Sequence, residues 1–361
     1  MKNKTHVIPV LLLGLMAVLA TVPALTAQEE QQAQQEKQVV IPEQVKTVLQ
    51  QGAQARQPRL DIPFTFLDKD LYLPAQMNLH RVFFFKVKNA DLGFAAPAQP
   101  AAKKEGAEEE QEVTSFDSQP ALLQARNHVF LHYQQLDGNF SKEVYIPLNI
   151  QVDGGSYDAE KEEVYTTGYP LAPGRYLLSM AITSPDLQRI GTQYYEFSLP
   201  NPMGYTEELG TTPVFFVKNL DRMSAPETRS EIHRGIFTYS VLQVETNLDN
   251  VFAATDNLDV FFFIFGAQPN EQGRNDIEVT YEVLQNDEAV IRYALTNYDM
   301  ALVSQPLPLK RTVLVKTTKD GKTTERQEQK DLEPGAYALS IVVNDKLSGK
   351  TLTQLINFEV K

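Results

Sequence analysis

Hydrophobic positions along this chain fall into three regimes. From Val7 to Ala20 they are continuous, in the run VIPVLLLGLMAVLA, after a start carrying Lys2 and Lys4 and before the small-residue stretch TVPALTA that ends at Ala27. A basic start, an apolar middle and a small-residue end predict a secretory signal peptide over residues 1–27. Cleavage fits after Ala24 or after Ala27. An uncleaved anchor is the rival reading, and Pro9 and Pro23 within the stretch weigh against it. Residues 28–38, QEEQQAQQEKQ, have almost no apolar position and predict a solvated linker, which extends to residue 58. Pro42 to Arg56 reads either as a short helix with Pro42 near its first turn or as more linker.

Beyond residue 58 the pattern becomes short apolar or alternating runs between turn signals, and it repeats. Residues 171–181 read LAPGRYLLSMA and residues 332–342 read LEPGAYALSIV, at an offset of 161. The match continues without gaps, so that Thr192-Gln193 falls on Thr353-Gln354 and Phe197 on Phe358. Pro-Gly predicts a tight turn, and the period-2 runs after it predict strands. Upstream, Val82-Phe83-Phe84-Phe85 corresponds to Val260-Phe261-Phe262-Phe263 at an offset of 178. The difference between the two offsets places an insertion in the first copy, and AAPAQPAAKKEGAEEEQE, at about 95–115, has the low-complexity composition of one. Three successive Phe put rings on both faces of a strand. That suits a central strand covered on one side by its own core and on the other by a linker or partner domain; the alternative is an apolar face for another protein. Thr-Lys-Asp-Gly-Lys-Thr, residues 318–323, predicts a hairpin turn.

The pattern L-x-P-G-x-Y-x-L-S, followed by a last strand such as Gln354-Leu-Ile-Asn-Phe-Glu-Val, resembles the closing strands of immunoglobulin-like and fibronectin III-like modules. It is also faintly similar to the C-terminal sandwich of exported bacterial GWxTD-domain proteins, whose naming motif needs a Trp that this chain lacks. The resemblance implies an all-β chain with two tandem Ig-like β-sandwich domains. The first spans residues 59–203, with the insertion at about 95–115, and the second residues 204–361. Such a fold carries no activity by itself.

Composition narrows the chemistry. The 361 residues include no Cys and no Trp, and 33 Lys+Arg stand against 46 Asp+Glu for a net charge of -13. Loss of Lys2 and Lys4 with the signal takes this to -15. Zero Cys excludes disulfides, thiolate metal sites, Cys nucleophiles and a lipid-modified N-terminal Cys. The acidic balance argues against nucleic acid as a partner.

No motif stands out as catalytic. His6 lies in the signal, leaving His80, His128, His132 and His233. His128 and His132 sit four apart in a strand-like run, which separates their Cα atoms by about 13 Å and suits no shared metal ion. G-x-S-x-G, P-loop and dinucleotide fingerprints are absent. Weak Ca²⁺ candidates are Asp249, Asp256 and Asp259; they do not match the spacing of an EF-hand loop, and a solubilising acidic loop is the simpler reading. Asp153 and Asp158 with Glu160, Glu162 and Glu163 form a weaker acidic cluster. Tyr157, Tyr165, Tyr194 and Tyr195 are candidate sugar platforms, though tyrosine on strands more often packs. The strand TPVFFVKNL, residues 212–220, offers a protein-binding edge at Val214, Phe215, Phe216 and Val217.

The expectation is an exported, non-enzymatic protein-binding or structural module at the bacterial cell envelope, periplasmic or secreted. It has no cofactor and no transmembrane segment after signal cleavage, and another envelope protein is its partner. The alternatives are an envelope glycan hydrolase with carboxylates at the domain junction, and a periplasmic chaperone that uses edge-strand donation.

Overall fold

The structure, a computed structural model, describes residues 41–96, 122–201, 208–319 and 322–361. The expected signal peptide, the linker through residue 40, the insertion from residue 97 onward and the Asp320-Gly321 turn lie outside the described residues. Within them the protein is nearly all β, in several sheets that form no barrel.

The first copy contains β1 (Phe64–Phe66), β2 (Tyr72–Ala75), β3 (Asn78–Lys88), β4 (Leu122–Gln135), β5 (Ser141–Asp153), β6 (Glu162–Leu171), β7 (Gly174–Thr183) and β8 (Ile190–Leu199). In one sheet β1 and β2 pair with β3, and β3 pairs along its length with β6. The other sheet runs β5-β4-β7-β8. Between them lies one core, built from the inward alternate residues: Phe83 and Phe85 from one side, Leu131, Tyr133, Leu178 and Met180 from the other.

Residues 41–58 are more than linker. Helix α1, Glu43–Ala55, follows Pro42 and lays Val45 and Leu49, one turn apart, with Ile41 onto Phe130, Ala181 and Ile190 on the outer face of the second sheet. A second helix, α2 (Asn89–Leu92), is a single turn after β3.

The second copy contains β9 (Gly210–Thr211), β10 (Phe215–Arg222), β11 (His233–Arg234), β12 (Phe237–Tyr239), β13 (Leu242–Thr246), β14 (Val251–Phe252), β15 (Asp259–Phe265), β16 (Ile277–Gln285), β17 (Glu288–Arg292), β18 (Thr296–Tyr298), β19 (Leu302–Gln305), β20 (Lys310–Lys319), β21 (Lys322–Asp331), β22 (Gly335–Asp345) and β23 (Lys350–Val360). Its sheets run β12-β13-β10-β15-β19 and β14-β23-β22-β16-β17, and β20 with β21 forms a separate two-stranded ribbon. The segment β17-β16-β22-β23 repeats the order β5-β4-β7-β8.

The sequence repeat is also a repeat of atoms. Gly174 pairs with Leu199, and their counterparts in the repeat, Gly335 and Val360, pair in the same way. Tyr176 stacks on Phe197 with centroids 5.4 Å apart, and Tyr337 on Phe358 at 5.7 Å. The two hydroxyls donate back to the turns before their strands, to the carbonyls of Ala172 at 2.9 Å and Glu333 at 2.7 Å. Each buried phenol thereby meets its hydrogen-bond requirement and fixes the turn that precedes its strand.

Strand alternation explains the Phe runs. Phe83 and Phe85 enter the first core, and Phe262 with Val260 and Ile264 enters the second. Val82 and Phe84 point the other way, as do Phe261 and Phe263. These residues meet one another, with Leu71, Leu73, Val217, Phe237 and Val244, in a third apolar cluster between the copies.

Candidate functional site

The connector from β10 to β12, residues 223–236, leads into Phe237 of that third cluster. Although it lies beyond residue 203, β11 pairs with β6 of the first copy, placing His233 opposite Thr166 and Arg234 opposite Tyr165. Thr166 Oγ1 donates to the Ile236 carbonyl, and Arg234 reaches Glu163 at 2.7 Å. The connector is therefore fixed to one copy while β12, just after it, belongs to a sheet of the other.

Under the connector is a cavity of about 320 Å³, lined among others by His80, Gly168, Glu227, Arg229, Glu231 and His233. His233 Nε2 lies 3.0 Å from Glu227 Oε1, and Thr238 Oγ1 donates to Glu227 Oε2 at 2.8 Å. One donor atom each of Glu227, Glu231 and His233 lies within 4.8 Å of the others; among the described residues this is the one such group of three metal-ligating side chains.

His80 enters from β3, on the face shared with Val82 and Phe84. Its ring lies over Gly168, where a Cβ would come within 2.1 Å of Nε2, so a larger residue there would displace the ring. Burial pushes its pKa down to about 4, against the opposing pull of Glu227. The imidazole is therefore neutral at pH 7, and neither nitrogen has a hydrogen-bond partner among the described residues. The ring of Tyr239 is 6.2 Å from that of His80, and its hydroxyl donates to the Pro74 carbonyl.

The residues singled out from the sequence lie elsewhere. Asp249, Asp256 and Asp259 are not brought together: Asp256 caps the Ala253 amide at 2.8 Å, and Asp259 keeps a buried Oδ1 without a partner. Asp153 and Asp158 cap turns, while Glu160 and Glu163 pair with Lys88 and Lys161. His128 meets Tyr145 Oη at 2.9 Å and His132 meets Ser141 Oγ at 2.8 Å, each separately on β4. Tyr165 is buried beside Phe85, Tyr195 packs on Phe66, and Tyr194 lies under α1.

The expected edge at Val214–Val217 is not an edge. Phe215, Phe216 and Val217 pair with Phe261, Val260 and Asp259 on one side, and Val217 also pairs with Thr246 on the other. Phe216 and Val217 are buried, and Val214 packs on the second core. The apolar character read as a binding surface is that of an inner strand serving two cores.

No protein-family model matches the sequence, and no curated protein matches it. Among solved structures the chain is similar to a point mutant of Salmonella alpha-2-macroglobulin, with 9% identity and a TM-score of 0.15. That alignment takes in 83% of this chain and covers 16% of the other.

The junction cluster had a faint sequence signal. Glu227, Glu231 and His233 lie close together on one polar connector, a spacing compatible with shared ligation only if the loop folds back on itself. His80 belongs to β3, far upstream in the first copy, and only packing of one copy against the other brings it in.

Proposed function

We propose that the protein is an exported, non-enzymatic module of Ig-like sandwiches that binds another envelope protein by strand addition. The edge used is β23 rather than Val214–Val217. The N-terminal basic and apolar pattern supports export, and the back-bonded tyrosines of both copies suit an Ig-like reading.

The observation that carries the proposal is the free edge from Thr351 to Ile356. β22 pairs with one side of β23 throughout, but on the other side β14 begins only at Glu359. The stretch TLTQLI holds no charge, no Pro and no Gly, and Leu355 is 59% exposed. Such an edge invites a further strand. Another long edge, β5, is blunted by Pro147, Lys142, Glu143 and Asp153. In the first copy the edge equivalent to β23 is covered: Leu60 bridges to Gly191, and the Thr192 amide donates to the Arg59 carbonyl at 2.8 Å. A Cβ at Gly191 would lie 1.8 Å from the Ile62 carbonyl oxygen, and Leu352 occupies that place in the second copy.

The test is a photo-crosslinking residue at position 353 of the full chain in its native envelope. We expect a discrete adduct with one exported protein, lost in the Leu355→Lys variant and absent when the probe sits at position 287. Equal adducts at both positions, or none at either, overturn the proposal.

The chaperone version of this reading asks for a basic residue in the junction, and Arg229 lines that cavity. The hydrolase reading asks for two carboxylates there. Glu227 and Glu231 are present, but both come from one connector rather than from two walls of a cleft, and Glu227 is already engaged by His233 and Thr238.

A further inference from the structure

We propose that Glu227, Glu231 and His233 form a Zn²⁺-class divalent metal site that clamps the two copies together. The three donors mix one imidazole with two carboxylates, the set favoured by a borderline first-row ion. Ca²⁺ and Mg²⁺ instead call for six or more oxygens. Their spacing fits as well. Two ligands held about 2.0–2.1 Å from one ion at a tetrahedral angle are about 3.3 Å apart. His233 Nε2 and Glu227 Oε1 already stand at 3.0 Å, and rotation of the exposed Glu231 brings in the third donor.

Two further observations point to ligation. Glu227 uses its second oxygen to accept from Thr238, the outer hydrogen bond that orients a ligating carboxylate. The cavity is also lined by His80, a half-buried imidazole whose nitrogens have no hydrogen-bond partner among the described residues. His233 is held by β11 to the first copy's sheet, and Glu227 is held by Thr238 to a sheet of the second. An ion between them therefore ties a strand paired with the first copy to one paired in the second. The site is a structural clamp and is independent of strand addition at β23.

The experiment uses the full chain without a polyhistidine tag, stripped with a chelator and titrated calorimetrically with Zn²⁺ alone, then Ca²⁺ alone. We expect one Zn²⁺ per chain, at least tenfold tighter than Ca²⁺, and a rise of several degrees in melting temperature at saturation. Glu231→Gln and His233→Asn each weaken Zn²⁺ at least tenfold, whereas His132→Asn leaves it unchanged. Glu231 is exposed and makes no hydrogen bond to the described residues, so its variant keeps the melting temperature of the stripped protein and the test survives if His233→Asn misfolds. No stoichiometric Zn²⁺, equal affinity for Ca²⁺, or wild-type affinity in Glu231→Gln overturns the proposal.

Discussion

Asp259 opens β15 with one carboxylate oxygen buried and unpartnered, and burial raises its pKa above the ordinary carboxylate value. The folded chain thus holds this proton to higher pH than the unfolded chain does. Its stabilising contribution is full below about pH 4 and is lost as pH rises above the unfolded value. Asp259→Asn removes the charge that burial disfavours. We expect it to stabilise the protein at pH 7 and to leave it unchanged at pH 3, read from urea unfolding at the two values. A loss of stability at pH 7 would show that Oδ1 has a partner after all. The same residue shows why acidic clusters in a sequence are poor guides to calcium: Asp259 faces into a sheet, while Asp256 is spent on capping its own turn.

At the scale of elements, legibility follows the locality of the signal. β7, β8, β22 and β23 can be read as strands because the Pro-Gly turn, the Tyr and the period-2 pattern lie within one run and occur twice. The Phe runs can be read as strands with two covered faces for the same reason. Helix α1 is ambiguous in sequence, since only Val45 and Leu49 mark its face and the apolar floor beneath it, Phe130 and Ala181, belongs to the distant strands β4 and β7. β11 is invisible there: two residues gain strand character only by pairing with β6, a strand of the other copy. The edge reading fails at Val214–Val217 because pairing partners decide what is an edge, and composition does not. The ribbon β20–β21 is legible from its alternation and Asp-Gly turn, and it yields a prediction. It pairs with no strand of the other sheets, while Leu309 and Leu332 at its base are buried in the second core and linked by a backbone bond of 3.4 Å. Its ends already meet, so a short link closes the gap at little entropic cost. Replacing residues 311–330 with three glycines should move the melting temperature by no more than about 4 °C. A fall of about 10 °C or more would mean the ribbon holds the second copy together.

The core of each copy and the apolar cluster between them lie in series, and the middle one decides whether the copies melt as one body. Phe84 is 1% exposed and meets Phe237 edge-on at 6.4 Å, within a cluster that draws on both copies. Phe83, its neighbour, is equally buried but lies in the first core, 5.1 Å from Phe197. Alternation along one strand therefore separates two functions for the same residue type. Truncating either ring to alanine removes about 3–5 kcal/mol, but the loss falls in different places. Phe83→Ala weakens the first copy's own core and leaves the junction closed. Phe84→Ala leaves both cores intact and loosens the contact between them, with the connector held only by the short β11 pairing and its flanking polar bonds. Calorimetry should then resolve one transition for the wild type into two for Phe84→Ala. Trypsin should cut Phe84→Ala at Arg229 at a temperature where Phe83→Ala and the wild type remain whole. If Phe84→Ala instead shows a single lowered transition with a protected connector, the polar contacts of the connector hold the junction and the phenylalanine cluster does not.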